Sequence, residues 1–98
     1  MIRSGDILTQ LKQHADELHR QFNVRTLAVF GSAARGELSD ESDVDMLVEF
    51  EGAATFDRYM DLKFHLEDLL GRPVDLVTPN ALKPRLRPVI EREAVRVA

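Results

Sequence analysis

Asp43 and Asp45 lie two residues apart at the head of an apolar run, DVDMLVEF, over 43–50. Side chains alternate across a strand, so an extended chain puts both carboxylates on one face. Val44, Met46 and Val48 then face the other way, toward a helix-covered core. A third aspartate, Asp75, sits inside VDLV at 74–77, with Val74 and Leu76 as its core-facing neighbours. If these two strands lie side by side, three carboxylates gather at one end of a sheet. Carboxylates that close repel one another and raise each other's pKa values. A hard divalent cation such as Mg²⁺, which prefers oxygen ligands, removes that repulsion. The bland alternative for Asp43 and Asp45 is a solvated strand face. For Asp75 the grouping depends on an inferred strand order.

Gly31-Ser32 supplies a second half to the same chemistry. A glycine at a strand end, followed by a hydroxyl residue opening a helix, presents backbone N–H groups to an anion. Ser32 can donate to a phosphate oxygen, and Arg35, one turn on, can add charge-assisted bonds. A solvated surface arginine is an equally good account of Arg35. A phosphate cradle facing a carboxylate-held metal pair is what phosphoryl or nucleotidyl transfer needs. The motif GxxxxGK[ST] is missing, so this is not a Walker-type loop.

The elements that must position these groups can be traced along the chain. Ile7, Leu8, Leu11, Ala15 and Leu18 fall at helical spacing and predict one amphipathic helix, with Ser4 as N-cap and Phe22 near its end. Asn23 marks a turn. Val24–Phe30 (VRTLAVF) reads as a buried strand that stops at Gly31-Ser32. Ala33-Ala34-Arg35 suits a short helix that Gly36 ends, and GELSDES is polar loop. Thr55 caps a helix whose apolar positions include Phe56, Tyr59, Met60, Phe64 and Leu70. Gly71 and Pro73 stop it. Asp40, Glu41 and Ser42 read as loop solvation, Glu37 and Glu49 as surface, and His14, His19 and His65 as exposed helix residues without ligand spacing. A last helix is expected around Leu86–Val95. The helical crossover between the second and third strands makes them parallel. The direction of the first against the second stays open. The expected fold class is α/β, a small mixed sheet of three strands or slightly more with helices packed on it.

Length and composition bound the function. The chain has 98 residues, room for one domain spanning 1–98. Such a chain buries roughly 60–65% of its unfolded surface, a thin core. It has no cysteine, which excludes disulfides and thiolate metal sites and fits a reducing cytoplasm. The N-terminus becomes charged too early for a signal peptide, and no apolar run approaches the ~20 residues of a membrane span. The formal net charge is -4, unlike the basic balance expected of a duplex-binding domain, so no direct nucleic-acid binding is expected. Acidic residues concentrate between Glu37 and Glu51, where no Lys or Arg occurs, and basic ones after Lys83.

Gly31-Ser32, ten residues, then Asp43-Val44-Asp45 reads GSx₁₀DxD. That pattern resembles the signature of the DNA polymerase β-like nucleotidyltransferase superfamily. FGSAARGELSDESDVDMLVEF, over 30–50, more closely resembles the minimal nucleotidyltransferase (MNT) domain, the antitoxin half of modules whose toxin is a HEPN-domain ribonuclease. The dense match spans about a fifth of the chain, and the element order agrees over nearly all of it. The resemblance implies the nucleotidyltransferase fold, ATP as substrate and two Mg²⁺ ions. It implies metal ligation by Asp43, Asp45 and Asp75, with Asp75 also orienting or deprotonating the acceptor. Gly31 and Ser32 would bind the β/γ-phosphates. The implied reaction is adenylylation of a partner HEPN toxin, on tyrosine, with release of pyrophosphate. Larger superfamily members carry a second helical domain that grips the acceptor; its absence here favours a protein acceptor. Two other readings stand beside this one: an antitoxin that neutralises its toxin by binding alone, and a transferase acting on a small-molecule or RNA hydroxyl.

Overall fold

The computed structural model describes residues 4–37 and 43–98. The segment 38–42, which holds the expected loop-solvating residues Asp40, Glu41 and Ser42, lies outside the described residues. The elements run α1 (Ser4–Gln13), α2 (Ala15–Gln21), β1 (Val24–Phe30), α3 (Gly31–Ala34), β2 (Val44–Phe50), α4 (Phe56–Leu70), β3 (Val74–Val77), a 3₁₀ turn (Pro79–Ala81), α5 (Arg87–Glu93) and β4 (Val95–Arg96).

The sheet has four strands in the order β3-β2-β1-β4, one more than the three read from the sequence. β1 and β2 are antiparallel, which settles the direction left open above, and β2 and β3 are parallel. The extra strand, β4, pairs antiparallel with β1 through Ala28–Arg96 and Val29–Val95. The last helix consequently ends at Glu93 rather than Val95, because Val95 is needed in the sheet. A register shift between Val24 and Thr26 re-phases β1, so that Val24, Leu27 and Val29 all turn into the core.

α1, α2 and α4 supply Ile7, Leu11, Leu18, Leu62, Leu66 and Leu70 to one core with Val44, Met46, Val48, Val74 and Leu76 of the sheet. All these side chains are buried, and among the described residues no polar or charged side chain joins them. The single N-terminal helix of the sequence reading is two helices, because the chain bends at His14 (φ -101°, ψ 11°) while the apolar stripe continues through it. α4 is held as expected at its ends. The Thr55 hydroxyl accepts from the Arg58 N–H at 3.2 Å, and Gly71 takes a left-handed conformation (φ 66°). Its buried stripe is Leu62, Leu66 and Leu70, whereas Phe56 and Phe64, expected inside, are exposed.

α4 carries the chain from β2 to β3 and fastens the latter. Glu67 accepts a bond from the Val74 N–H at 2.9 Å, and the Tyr59 hydroxyl donates to the Leu76 carbonyl at 2.5 Å. The histidines are half-buried rather than exposed. His14 bonds Glu17 at 2.8 Å, His65 approaches the same carboxylate and stacks on Phe22, and His19 reaches the Val24 carbonyl. Among the described residues no helix is long and apolar enough to cross a membrane.

Candidate active site

The parallel register of β2 and β3 places Asp45 opposite Asp75. Both point away from the core face, because Val44, Met46, Val74 and Leu76 take the other side of the same pleats. Asp43, two residues before Asp45, shares that face and is exposed. Of the three carboxylates expected to gather, Asp45 and Asp75 come together in register, and Asp43 lies at the margin. Among the described residues no three His, Cys, Asp or Glu side chains converge tightly enough to hold a metal ion as they stand.

Asp45 bears the strain of this arrangement. Burial pushes its pKa above the usual carboxylate value, the charges of Asp75 and Asp43 push it further, and a hydrogen bond with Asp75 adds to the rise. Arg35 pulls weakly the other way. A carboxyl whose pKa is raised on folding favours the folded state most when protonated. Its contribution therefore worsens as pH rises through its folded pKa. Asp45→Asn should raise the melting temperature by roughly 2–4 °C at neutral pH in EDTA. The gain should shrink as pH falls below the carboxylate range. Unfolding scans at pH 4 and pH 7 check this, and a variant that loses stability at pH 7 would contradict it.

The antiparallel pairing of β1 with β2 brings the Gly31-Ser32 turn to the same place. Phe30 pairs with Asp45 across the strands, so Gly31, the next residue, lies against the Asp45 side chain. Gly31 has φ +69°, and a Cβ there would fall on the Asp45 carboxylate oxygen Oδ2, well inside contact distance. The position requires glycine for both conformation and space. Gly31 is legible in the sequence by residue type, whereas this contact is not. α3 follows directly, with Ser32 half-buried and Ala33 packed inward. First-turn N–H groups of a helix have no intrahelical acceptors, and they open at the end of the strand beside Asp45.

Arg35 is exposed, and its guanidinium is already engaged. Nε donates to Glu37 at 3.1 Å and Nη1 to Glu93 of α5 at 2.5 Å. The hydrogen bond to Glu37 is the main reason its pKa is raised. Glu37 is thus a partner of Arg35 rather than only surface, and Glu93 was not singled out from the sequence. Nothing local could have revealed a contact spanning fifty-eight residues. A cleft of about 520 Å³ opens on the other side of Asp75, with Thr55, Phe56, Tyr59, Thr78 and Ala81 in its walls.

Residues 11–97 match the family model described as the nucleotidyltransferase domain. The protein adenylyltransferase MntA of Thermococcus cleftensis is 41% identical over 97 residues, covering 99% of this chain and 98% of that protein. A solved structure described as a minimal nucleotidyltransferase superposes with a TM-score of 0.78 at 41% identity, over 90% of this chain and 93% of the other. A chain from the solved complex of a tri-AMPylated Shewanella oneidensis HEPN toxin with an MNT antitoxin shares the fold. Its TM-score is 0.66 at 17% identity, over 93% of this chain and 71% of that one.

Proposed function

Because the chain belongs to the nucleotidyltransferase domain family, and is an enzyme of that class, we propose that it transfers AMP from ATP to a tyrosine hydroxyl of a partner HEPN toxin and so acts as an antitoxin. One observation carries this reading. Asp45 faces Asp75 in register while the Gly31-Ser32 turn is pressed against Asp45, so carboxylates and phosphate cradle meet at one point. Steric neutralisation alone needs neither.

The donor set fits Mg²⁺. It is all oxygen, and the Asp45 carboxylate lies under uncompensated negative charge that a cation relieves. Asp43, Asp45 and Asp75 would hold the ions, which supply charge neutralisation of the triphosphate and activation of the attacking oxygen. The chain's own groups do the positioning. The N–H groups of the turn and the Ser32 hydroxyl hold the β- and γ-phosphates. Asp75 orients the acceptor hydroxyl, and Arg35 can exchange Glu37 and Glu93 for a phosphate oxygen. The acceptor oxygen bonds to the α-phosphorus, the bond to pyrophosphate breaks, and the hydroxyl proton is released. We infer a cytoplasmic location, where ATP is available as donor.

The test is to incubate the protein with Mg²⁺, ATP and the product of its neighbouring gene, then weigh that product intact. Mass gains in units of AMP are expected, and they should vanish in EDTA. A stable complex with no mass gain would replace this reading with neutralisation by binding alone.

A further inference from the structure

The basic residues that gather after Lys83 take no part in the site described above. From Lys83 to Val89 every residue is exposed, and α5 buries none of its own side chains. Leu86, Val89 and Arg92, spaced by three, take one side of the helix, while Ile90 and Glu93 on the other side are half-buried. Leu86 is 46% and Val89 54% exposed, so two large apolar side chains stand as neighbours in water. Lys83, Arg85, Arg87 and Arg92 are interleaved with them along the chain. Of these, Arg87 is matched by Glu91 at 2.9 Å, and the other three have no ion pair among the described residues. By contrast, Arg25, Arg35, Arg58 and Arg96 are each taken up by a carboxylate or carbonyl of the chain itself. Pro84 and Pro88 stiffen the segment, so presenting it to a partner forfeits little backbone freedom. The segment also borders the candidate site. Glu93 holds α5 to Arg35 at the end of α3, and Arg87 lines a cavity with Glu49, which shares its face of β2 with Asp45.

An apolar pair set among unmatched positive charges marks an interaction surface rather than a solvated helix. Its chemistry selects the occupant. Cations without partners call for carboxylates or phosphates. Phosphates alone would leave Leu86 and Val89 uncovered, because nucleic-acid backbones are met by charged and polar groups. A protein interface has an apolar centre within a polar rim, which is the pattern here. We propose that the surface formed by 83–92 docks the acceptor protein through an acidic face of that protein, whose apolar centre seats on Leu86 and Val89. The proposal rests on the adenylyl-transfer reading for the partner's role as acceptor and adds where that partner is gripped. Docking beside α3 brings the acceptor to the carboxylates while keeping its acidic groups away from Asp43, Asp45 and Asp75, which repel them.

Titration calorimetry of the full chain with the product of its neighbouring gene, without ATP, tests the surface apart from the reaction. Arg85→Glu with Arg92→Glu should weaken the complex about 30-fold or more, and salt at about 0.5 M should erase most of that difference. Leu86→Ala with Val89→Ala should weaken it about tenfold at either salt concentration. With Mg²⁺ and ATP, both variants should raise the KM for the acceptor, leave kcat at saturating acceptor within about twofold, and leave the KM for ATP unchanged. Wild-type affinity in both variants overturns the proposal, as does a wild-type chain that forms no complex. Two other results also overturn it while naming another occupant. In one, the charge variant abolishes self-association of the chain, read by sedimentation, and leaves the complex intact. In the other, it abolishes binding of a single-stranded RNA oligonucleotide and leaves the complex intact. If the complex weakens as expected but wild type transfers no AMP, the docking surface stands and the transfer reading falls. Transfer with wild-type affinity in both variants removes the surface alone.

Discussion

Replacing Asp43 and Asp45 together by asparagine is expected to reduce AMP transfer by about 1000-fold or more while leaving the protein folded. Asparagine keeps the shape and one carbonyl oxygen of each side chain, while the charge is lost and the second oxygen becomes an N–H donor. That charge is what a hard cation requires, so the reaction loses its metal rather than its architecture. Stability should move the other way. Asp45 is held above its ordinary pKa by burial and by Asp75 and Asp43, and the double substitution removes that penalty. Labelled AMP incorporation and thermal unfolding in EDTA should therefore show activity lost and melting temperature raised in one protein. Transfer at the wild-type rate would place the reaction elsewhere on the chain.

Gly31→Ala is expected to be milder in rate and far more damaging to the fold. The left-handed conformation at φ +69° costs a non-glycine residue roughly 1–2 kcal/mol. The new methyl also falls on the Asp45 carboxylate, so either Asp45 leaves its place opposite Asp75 or the end of β1 shifts. A loss of stability of about 2–3 kcal/mol and a rate reduction of about 100-fold should follow. Gly36→Ala is the control. Gly36 also has positive φ, +73°, but a Cβ there meets nothing within contact range. It should cost about 1 kcal/mol and leave transfer near normal. Urea midpoints and initial rates for the pair separate backbone strain from the clash at the site, and equal rates for the two variants would contradict the assignment.

Much of the molecule was legible because short-range physics determines it. The β-branched run at 24–30 and the alternation from Val44 onward defined β1 and the core face of β2, and Thr55 and Gly71 bracketed α4 through cap chemistry. The pairing of Asp45 with Asp75 followed from two alternation patterns and one crossover. Three features escaped. The break at His14 left the apolar stripe of α1 and α2 in phase and carries no glycine or proline. β4 is two residues long, and only its pairing with β1 makes it a strand. In α4, Phe56 and Phe64 looked like part of the buried stripe, while Leu62 and Leu66 occupy it beside Leu70. Of the candidate site, the residue types were readable and the contacts were not. That Gly31 has no room for a methyl, and that Arg35 reaches Glu93, are properties of the assembled sheet.

The bond from the Tyr59 hydroxyl to the Leu76 carbonyl has a meaning beyond tethering a helix. β3 is an edge strand, and edge strands are templates on which a second copy can polymerise. Three devices guard this one: it is only four residues long, it carries Asp75 at its second position, and Tyr59 occupies an acceptor that an intruding strand would need. On the proposed function, the carboxylate that orients the acceptor also guards the strand edge on which a second copy could add. A variant lacking both Tyr59's hydroxyl and Asp75's charge would lose solubility as well as catalysis.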